Sequence, residues 1–183
     1  ELQLSERASY DFLSQLYNRS TFERELKSEI ERSAHAKVAV LFIDVDDFKF
    51  INDRFGHSVG DEVIKYVAGC IKQRVKGSGF AGRFGGDEFV LCITDPKQIE
   101  EIESLSLDLI DELYEGYHSE LANVSINVKA SIGIAFYPEH GDDSNKVVAA
   151  ADEAMYFVKK NGKANYHIYQ PEDSEMEDLQ HTL

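Results

Sequence analysis

No stretch of this 183-residue chain approaches the run of about eighteen apolar residues that a membrane-crossing helix needs. Nor does the N-terminus join a basic region to a hydrophobic one, so neither a membrane span nor a signal peptide is expected, and no membrane contact by this domain. Cysteine is scarce as well. Cys70 falls in a helical pattern and Cys92 in an apolar strand pattern, and both read as small buried hydrophobes rather than as a disulfide or metal pair. That fits a reducing cytosol, and a cytoplasmic domain is expected. The chain starts at Glu1 rather than Met, which suggests a piece of a longer protein, membrane-anchored or not. The third shortage is positive charge: 19 Lys and Arg against 34 Asp and Glu leave a net charge of −15. Neutralising a phosphate backbone needs clustered Lys and Arg, so nucleic acid is excluded as a partner. A small phosphorylated ligand would need divalent cations and a few local lysines to offset the same charge.

What is present suffices for one well-cored domain, with 43% hydrophobic and 29% charged residues. Phe22, Leu26 and Ile30 recur every four residues and predict an amphipathic helix over about 19–35. Val38 to Ile43 is a continuous β-prone run, the pattern of a strand buried on both faces. Val63, Ile64, Val67, Ile71 and Val75 mark a second helix, set off by Gly56 and Gly60. Ile99 to Leu113 marks a third, starting near Pro96. Two apolar runs around Gly85-Gly86 predict a β-hairpin. Strict alternation from Ile126 to Phe136 predicts a strand with one core face. Val147 to Val158 gives a fourth helix ending near Asn161-Gly162, and Tyr166 to Tyr169 a closing strand. This order predicts an α+β fold: a mixed, largely antiparallel central sheet flanked by helices, the hairpin breaking any strict βαβ alternation. Residues 1–10 are expected to lead in as a helix or linker, helix extending to 17 with Leu13 and Leu16 as its core candidates. The domain itself is expected over 11–170, and 171–183, with Pro171 and five acids, as a frayed tail.

Chemistry concentrates in two places. The apolar strand exits into Asp44-Val45-Asp46-Asp47-Phe48-Lys49, where Asp44 and Asp46 share a strand face. The hairpin tip reads Gly85-Gly86-Asp87-Glu88-Phe89, two glycines permitting a tight turn beside two acids. If the hairpin adjoins the first strand, Asp44, Asp87 and Glu88 meet at one edge and repel without a cation. Mg²⁺, a hard ion held by carboxylates and substrate phosphates, is the natural partner, and a pair of ions would suit phosphoryl or nucleotidyl transfer. Taken singly, these residues also fit plainer roles. Acids at strand ends and turns are commonly solvated, Asn52 and Asp53 suit a helix cap, Asp61 suits a helix start, and Lys159 and Lys163 suit a helix end.

The segment Asp44-Val-Asp-Asp-Phe-Lys-Phe-Ile-Asn-Asp-Arg-Phe-Gly-His-Ser-Val-Gly-Asp61, followed by Arg83-Phe-Gly-Gly-Asp-Glu-Phe89, resembles the GGDEF-domain diguanylate cyclase family. Asp11 to Arg19 is similar to the family's N-terminal motif, Ser131 to Ala135 to its late strand, and Ala151 to Tyr156 with Lys159 to its last helix. The resemblance implies a nucleotidyl cyclase or polymerase palm-like fold with a ferredoxin-like core. It implies condensation of two GTP into cyclic di-GMP with release of two pyrophosphates, in a homodimer, under an N-terminal sensory or regulatory domain of the parent. Asp44, Asp87, the Val45 carbonyl and Glu88 would hold two Mg²⁺ ions per GTP, with Mn²⁺ as a substitute, and Asp87 or Glu88 would take the proton. Asn52 and Asp61 would read guanine, with His57 in the substrate site between them. Backbone amides at Asp47 and Phe48, with Lys49, Lys159 and Lys163, would hold phosphates.

The chain departs from the family pattern in places. Lys76-Gly77-Ser78-Gly79 stands where an inhibitory Arg-x-x-Asp motif is usual, so the product-inhibition site is expected to be missing. Lys163 replaces a usual Arg and loses its planar fork. The functional reading is therefore an active cyclase, and the alternative is a module that binds GTP and regulates a neighbouring domain without turnover.

Overall fold

The computed structural model describes residues 8–175. A six-stranded sheet in the order β1-β3-β4-β2-β7-β8 forms its centre. The strands are β1 (Tyr17–Asn18), β2 (Val38–Val45), β3 (Gly79–Gly85), β4 (Glu88–Thr94), β7 (Ala130–Tyr137) and β8 (Tyr166–Ile168). All the long neighbours pair antiparallel; only the short edge strands β1 and β8 run parallel to theirs. A separate ribbon joins β5 (Tyr117–Ser119) to β6 (Val124–Ile126).

Helices α3 (His57–Val75) and α4 (Ile99–Glu115) cover one face, and α1 (Arg19–Glu31) and α5 (Ser144–Lys160) the other. Strand β2 shows why both layers are needed. Ala39, Leu41, Ile43 and Val45 point into the core under α3 and α4, while Val38, Val40 and Phe42 point into that under α1 and α5. Asn18 caps α1 by accepting a 2.9 Å bond from the Thr21 amide, and Asp143 caps α5 from the Lys146 amide at 2.8 Å. Cys70 and Cys92 are free and buried.

Several expectations change. The segment 48–55, read only as a motif, forms its own helix, α2 (Phe48–Phe55). Gly56, with φ of 91°, separates it from α3, which starts at His57 and contains Gly60. The alternating run from residue 126 divides, because β6 leaves for the small ribbon and only Ala130–Tyr137 joins the main sheet. Strand β7 also has two buried faces, not one. Ile132 and Ile134 face α4, and the small residues Ser131, Gly133 and Ala135 lie beneath α5. Residues 8–16 form turns rather than a helix, with Gln15 at φ 60° breaking the run, though Leu16 is buried and Leu13 packs on the core. Residues 171–175 form a helical turn where fraying was expected. Asp173 is buried there, paired with His167 and accepting from the Gln170 amide. The expectations for residues 1–7 and 176–183 lie outside the described residues.

Candidate active site

The strand order places the hairpin tip beside the exit of β2. In the register of β2 with β4, Asp44 stands opposite Glu88, and the Val45 amide donates to the Asp87 carbonyl at 3.2 Å. Gly85 and Gly86 take φ values of 138° and 48°, which folds the tip tightly enough to bring Asp87 onto Asp44. Burial, then the hydrogen bond and charge of Asp87 and the charge of Glu88, push the Asp44 carboxyl up to about 8 against the pull of Lys159. Glu88 is also raised, by burial and by Asp87, while Arg19 acts in the other direction.

Asp44 Oδ1 is buried and accepts no hydrogen bond. An orphaned carboxylate oxygen beside a second acid is where a divalent cation fits, taking the place of the proton the pair otherwise holds. Among the described residues no three His, Cys, Asp or Glu side chains close into a metal-binding group. The protein thus offers Asp44 with Asp87 rather than a closed cage, and an ion here would complete its shell from substrate oxygens and water, as Mg²⁺ usually does. Glu88 lines a cleft of about 370 Å³ with Arg19, Phe84 and Asp152.

The remaining expected residues surround this pair. Lys159, near the end of α5, lies 2.6 Å from Asp46 and 3.7 Å from Asp44. Lys163 lies in the loop after α5 and bonds Asp47 at 2.8 Å, which holds the Asp47 carboxyl below its ordinary range. Asp47 itself is left-handed, φ 55°, and stands at the N-cap of α2, where first-turn amides have no partner within the helix. Phe48 packs on the core and Lys49 is exposed beside it. Asn52 lies on α2 against the backbone of Gly60: any Cβ at residue 60 would collide with its Oδ1. His57 and Asp61, both exposed, stand on the first turns of α3. Asn52, His57 and Asp61 thus share the α2–α3 corner, apart from the acidic pair.

Two further contributors lie within the motifs, which assign them no role. Asp46 shares a face with Asp44, and its full burial beneath α5 is a tertiary outcome. Arg83 spans the hairpin: Nη1 reaches Asp11 Oδ2 at 3.2 Å, and Nε and Nη2 donate to the Gly86 carbonyl at 3.0 and 2.7 Å. Burial opposes ionisation of Asp11, yet hydrogen bonds from Ser14 and the charge of Arg83 hold its carboxyl below the usual range. The N-terminal turn is thereby tied to the residue before Asp87. Arg83→Ala is expected to speed amide exchange at Gly86 to Glu88 about tenfold, since charge-assisted bonds contribute roughly 1.5–3 kcal/mol, with β2 unchanged. Equal acceleration across the sheet would contradict that link.

A family model described as "Diguanylate cyclase, GGDEF domain" matches residues 8–165. The signaling protein YkoW of Bacillus subtilis is 33% identical over 172 residues, covering 92% of this chain and 21% of YkoW. MucR of Pseudomonas aeruginosa, a bifunctional diguanylate cyclase/cyclic di-GMP phosphodiesterase, is 33% identical over 170 residues, covering 92% of this chain and 24% of MucR. The chain therefore spans about a quarter or less of these relatives. Among solved structures, the isolated GGDEF domain of TpbB from Pseudomonas aeruginosa superposes with a TM-score of 0.88 at 30% identity, covering 92% of this chain and 99% of that one. With a family match that runs from the N-terminal turn to the loop before β8, this chain belongs to the GGDEF-domain diguanylate cyclase family.

Proposed function

We propose that this chain is an active diguanylate cyclase that condenses two GTP into cyclic di-GMP and two pyrophosphates, each chain holding one GTP. The observation that supports this is the buried Asp44 Oδ1, which accepts no hydrogen bond and stands beside Asp87, a pair suited to a divalent cation that takes its remaining oxygens from a ligand. The α2–α3 corner serves as the base pocket. The amide of Asn52 and the carboxylate of Asp61 match the acceptor and donor edge of guanine and leave adenine unsatisfied. His57 lines the same corner. Amides at Asp47 and Phe48, with Lys49, Lys159 and Lys163, bind the phosphates and offset charge as it develops.

Asp44, Asp87 and the Val45 carbonyl, with Glu88 beside them, would hold Mg²⁺, which when bound would acidify the attacking hydroxyl and offset charge on the leaving pyrophosphate. Manganese substitutes for magnesium, being satisfied by the same oxygen ligands. The 3′-oxygen of one GTP bonds to the α-phosphorus of the other, the bond to the β-phosphate oxygen breaks, and the proton passes to Asp87 or Glu88. Because one half-site offers one GTP, turnover requires a second copy of the domain facing the first.

Incubation with GTP and Mg²⁺ followed by nucleotide chromatography tests this. Wild type is expected to yield cyclic di-GMP with two pyrophosphates per product, and Asp87→Asn none. GTP bound but recovered intact by wild type would favour the regulatory module instead. With Lys76 to Gly79 in place of the inhibitory motif, added product is expected to compete with GTP only. Noncompetitive inhibition, seen in initial rates, would contradict this.

A further inference from the structure

Asp46 takes no part in that scheme, yet it is a fully buried carboxylate within the site. Its Oδ1 accepts from Ser131 Oγ at 2.7 Å and from Lys159 Nζ at 2.6 Å, and its Oδ2 from the Ala164 amide at 2.9 Å. The last bond pins a turn in which Lys163 and Ala164 both take left-handed φ values, 61° and 49°, a conformation that persists only where surrounding contacts hold it. Lys159 thus stands between two acids at unequal distances, close to Asp46 and 3.7 Å from Asp44 Oδ1. That nearer oxygen of Asp44 is the one left buried and without a hydrogen bond. Were the ammonium to close on it, a monovalent cation would fill the place of the divalent one.

We propose that Asp46 is a positioning residue for the metal: by holding Lys159 away from Asp44 it keeps the Asp44 carboxylate open to a divalent cation. The inference rests on reading Asp44 and Asp87 as metal ligands. Neutralise Asp46, and Asp44 is the other acid within ion-pair distance of Lys159, whose largely buried ammonium then turns toward it.

The test is Mn²⁺ binding, read from loss of the free-ion electron paramagnetic resonance signal, with no nucleotide and again with a non-reacting GTP analogue. The proteins are wild type, Asp46→Asn, Lys159→Gln and the double variant. Asp46→Asn is expected to weaken Mn²⁺ binding at least fivefold. Without nucleotide, Lys159→Gln is expected to bind Mn²⁺ more tightly than wild type, and the double variant as tightly as Lys159→Gln. Equal weakening by Asp46→Asn in both backgrounds means that Asp46 acts through the fold and not through Lys159, which overturns the proposal. No weakening overturns it too. If circular dichroism shows Asp46→Asn unfolded, Lys159→Gln alone decides: unchanged or weaker Mn²⁺ binding without nucleotide overturns the proposal. Failure of wild type to bind Mn²⁺ even with the GTP analogue would instead sink the metal reading itself, and is seen without any variant.

Discussion

Replacing Asp44 with Asn should make the metal-free protein more stable at pH 8, by about 2 kcal/mol, while lowering cyclic di-GMP synthesis by a hundredfold or more. In the unfolded chain this carboxyl ionises near 4; in the fold burial and Asp87 push it up to about 8. Between those values the folded state retains a proton the unfolded state has lost, so stability falls as pH rises, and above 8 the full penalty is present. Asn carries no such penalty. Its advantage should therefore grow as pH rises from 5 to 8 and level off above that. The expected gain is smaller than the whole shift implies, because the repulsion is shared with Asp87 and Lys159 partly offsets it. Urea unfolding in EDTA at pH 5.5 and 8.0 measures both values. A loss of stability at both would mean that the acidic pair supports the fold rather than straining it. If the pair holds Mg²⁺ as proposed, saturating Mg²⁺ with a GTP analogue should reverse the order of the two proteins, since only wild type would gain from ligand binding.

Gly133→Val is expected to have the largest effect on folding. Gly133 pairs with Phe42 on β2 and His167 on β8, and a Cβ there would collide with the Ala151 carbonyl oxygen and the Met155 nitrogen. Both are backbone atoms of α5, so no rotamer change relieves the contact. The whole helix must lift, uncovering Val147, Ala151 and Met155 and displacing Lys159 at its end. Overpacking against side chains typically costs about 1–3 kcal/mol, and a backbone obstacle lies at or above that range. A loss of about 3 kcal/mol corresponds to a drop of roughly 10 °C in melting temperature for a domain of this size. An unchanged melting temperature would show that α5 rides more loosely on β7 than the packing implies.

The same position shows where sequence reading falls short. Ile132, Ile134 and Phe136 alternate with Ser131, Gly133 and Ala135, and a polar or small partner row reads as a solvated face. Here the small row is buried because α5 comes close enough to need no side chain beneath it. Leu13 and Leu16 have helical spacing, but Asp11 and Gln15 bend the chain into turns, and local spacing does not report bonds to Arg83, 72 residues away. Strand β2 was legible for the opposite reason: an unbroken apolar run has only one way to bury both faces. Its exit acids and the hairpin acids were legible as a pair because antiparallel neighbours in one sheet leave little freedom in where their ends meet. The bond from Lys159 to Asp46 spans 113 residues, and no local pattern marks it. The acidic half of the site is written in two short motifs, whereas the cation that balances it is set by how α5 lands on the sheet.

On the proposed function, Asp44, Asp87 and the α2–α3 corner form half of a site that two chains complete. The most direct measurement is the rate of cyclic di-GMP formation per chain at saturating GTP and Mg²⁺, across protein concentrations that run from monomer to dimer by analytical ultracentrifugation. The rate per chain is expected to rise with concentration and level off as the dimer forms. A rate per chain that is constant through the monomer range, or dimers that bind GTP and form no product, would contradict it.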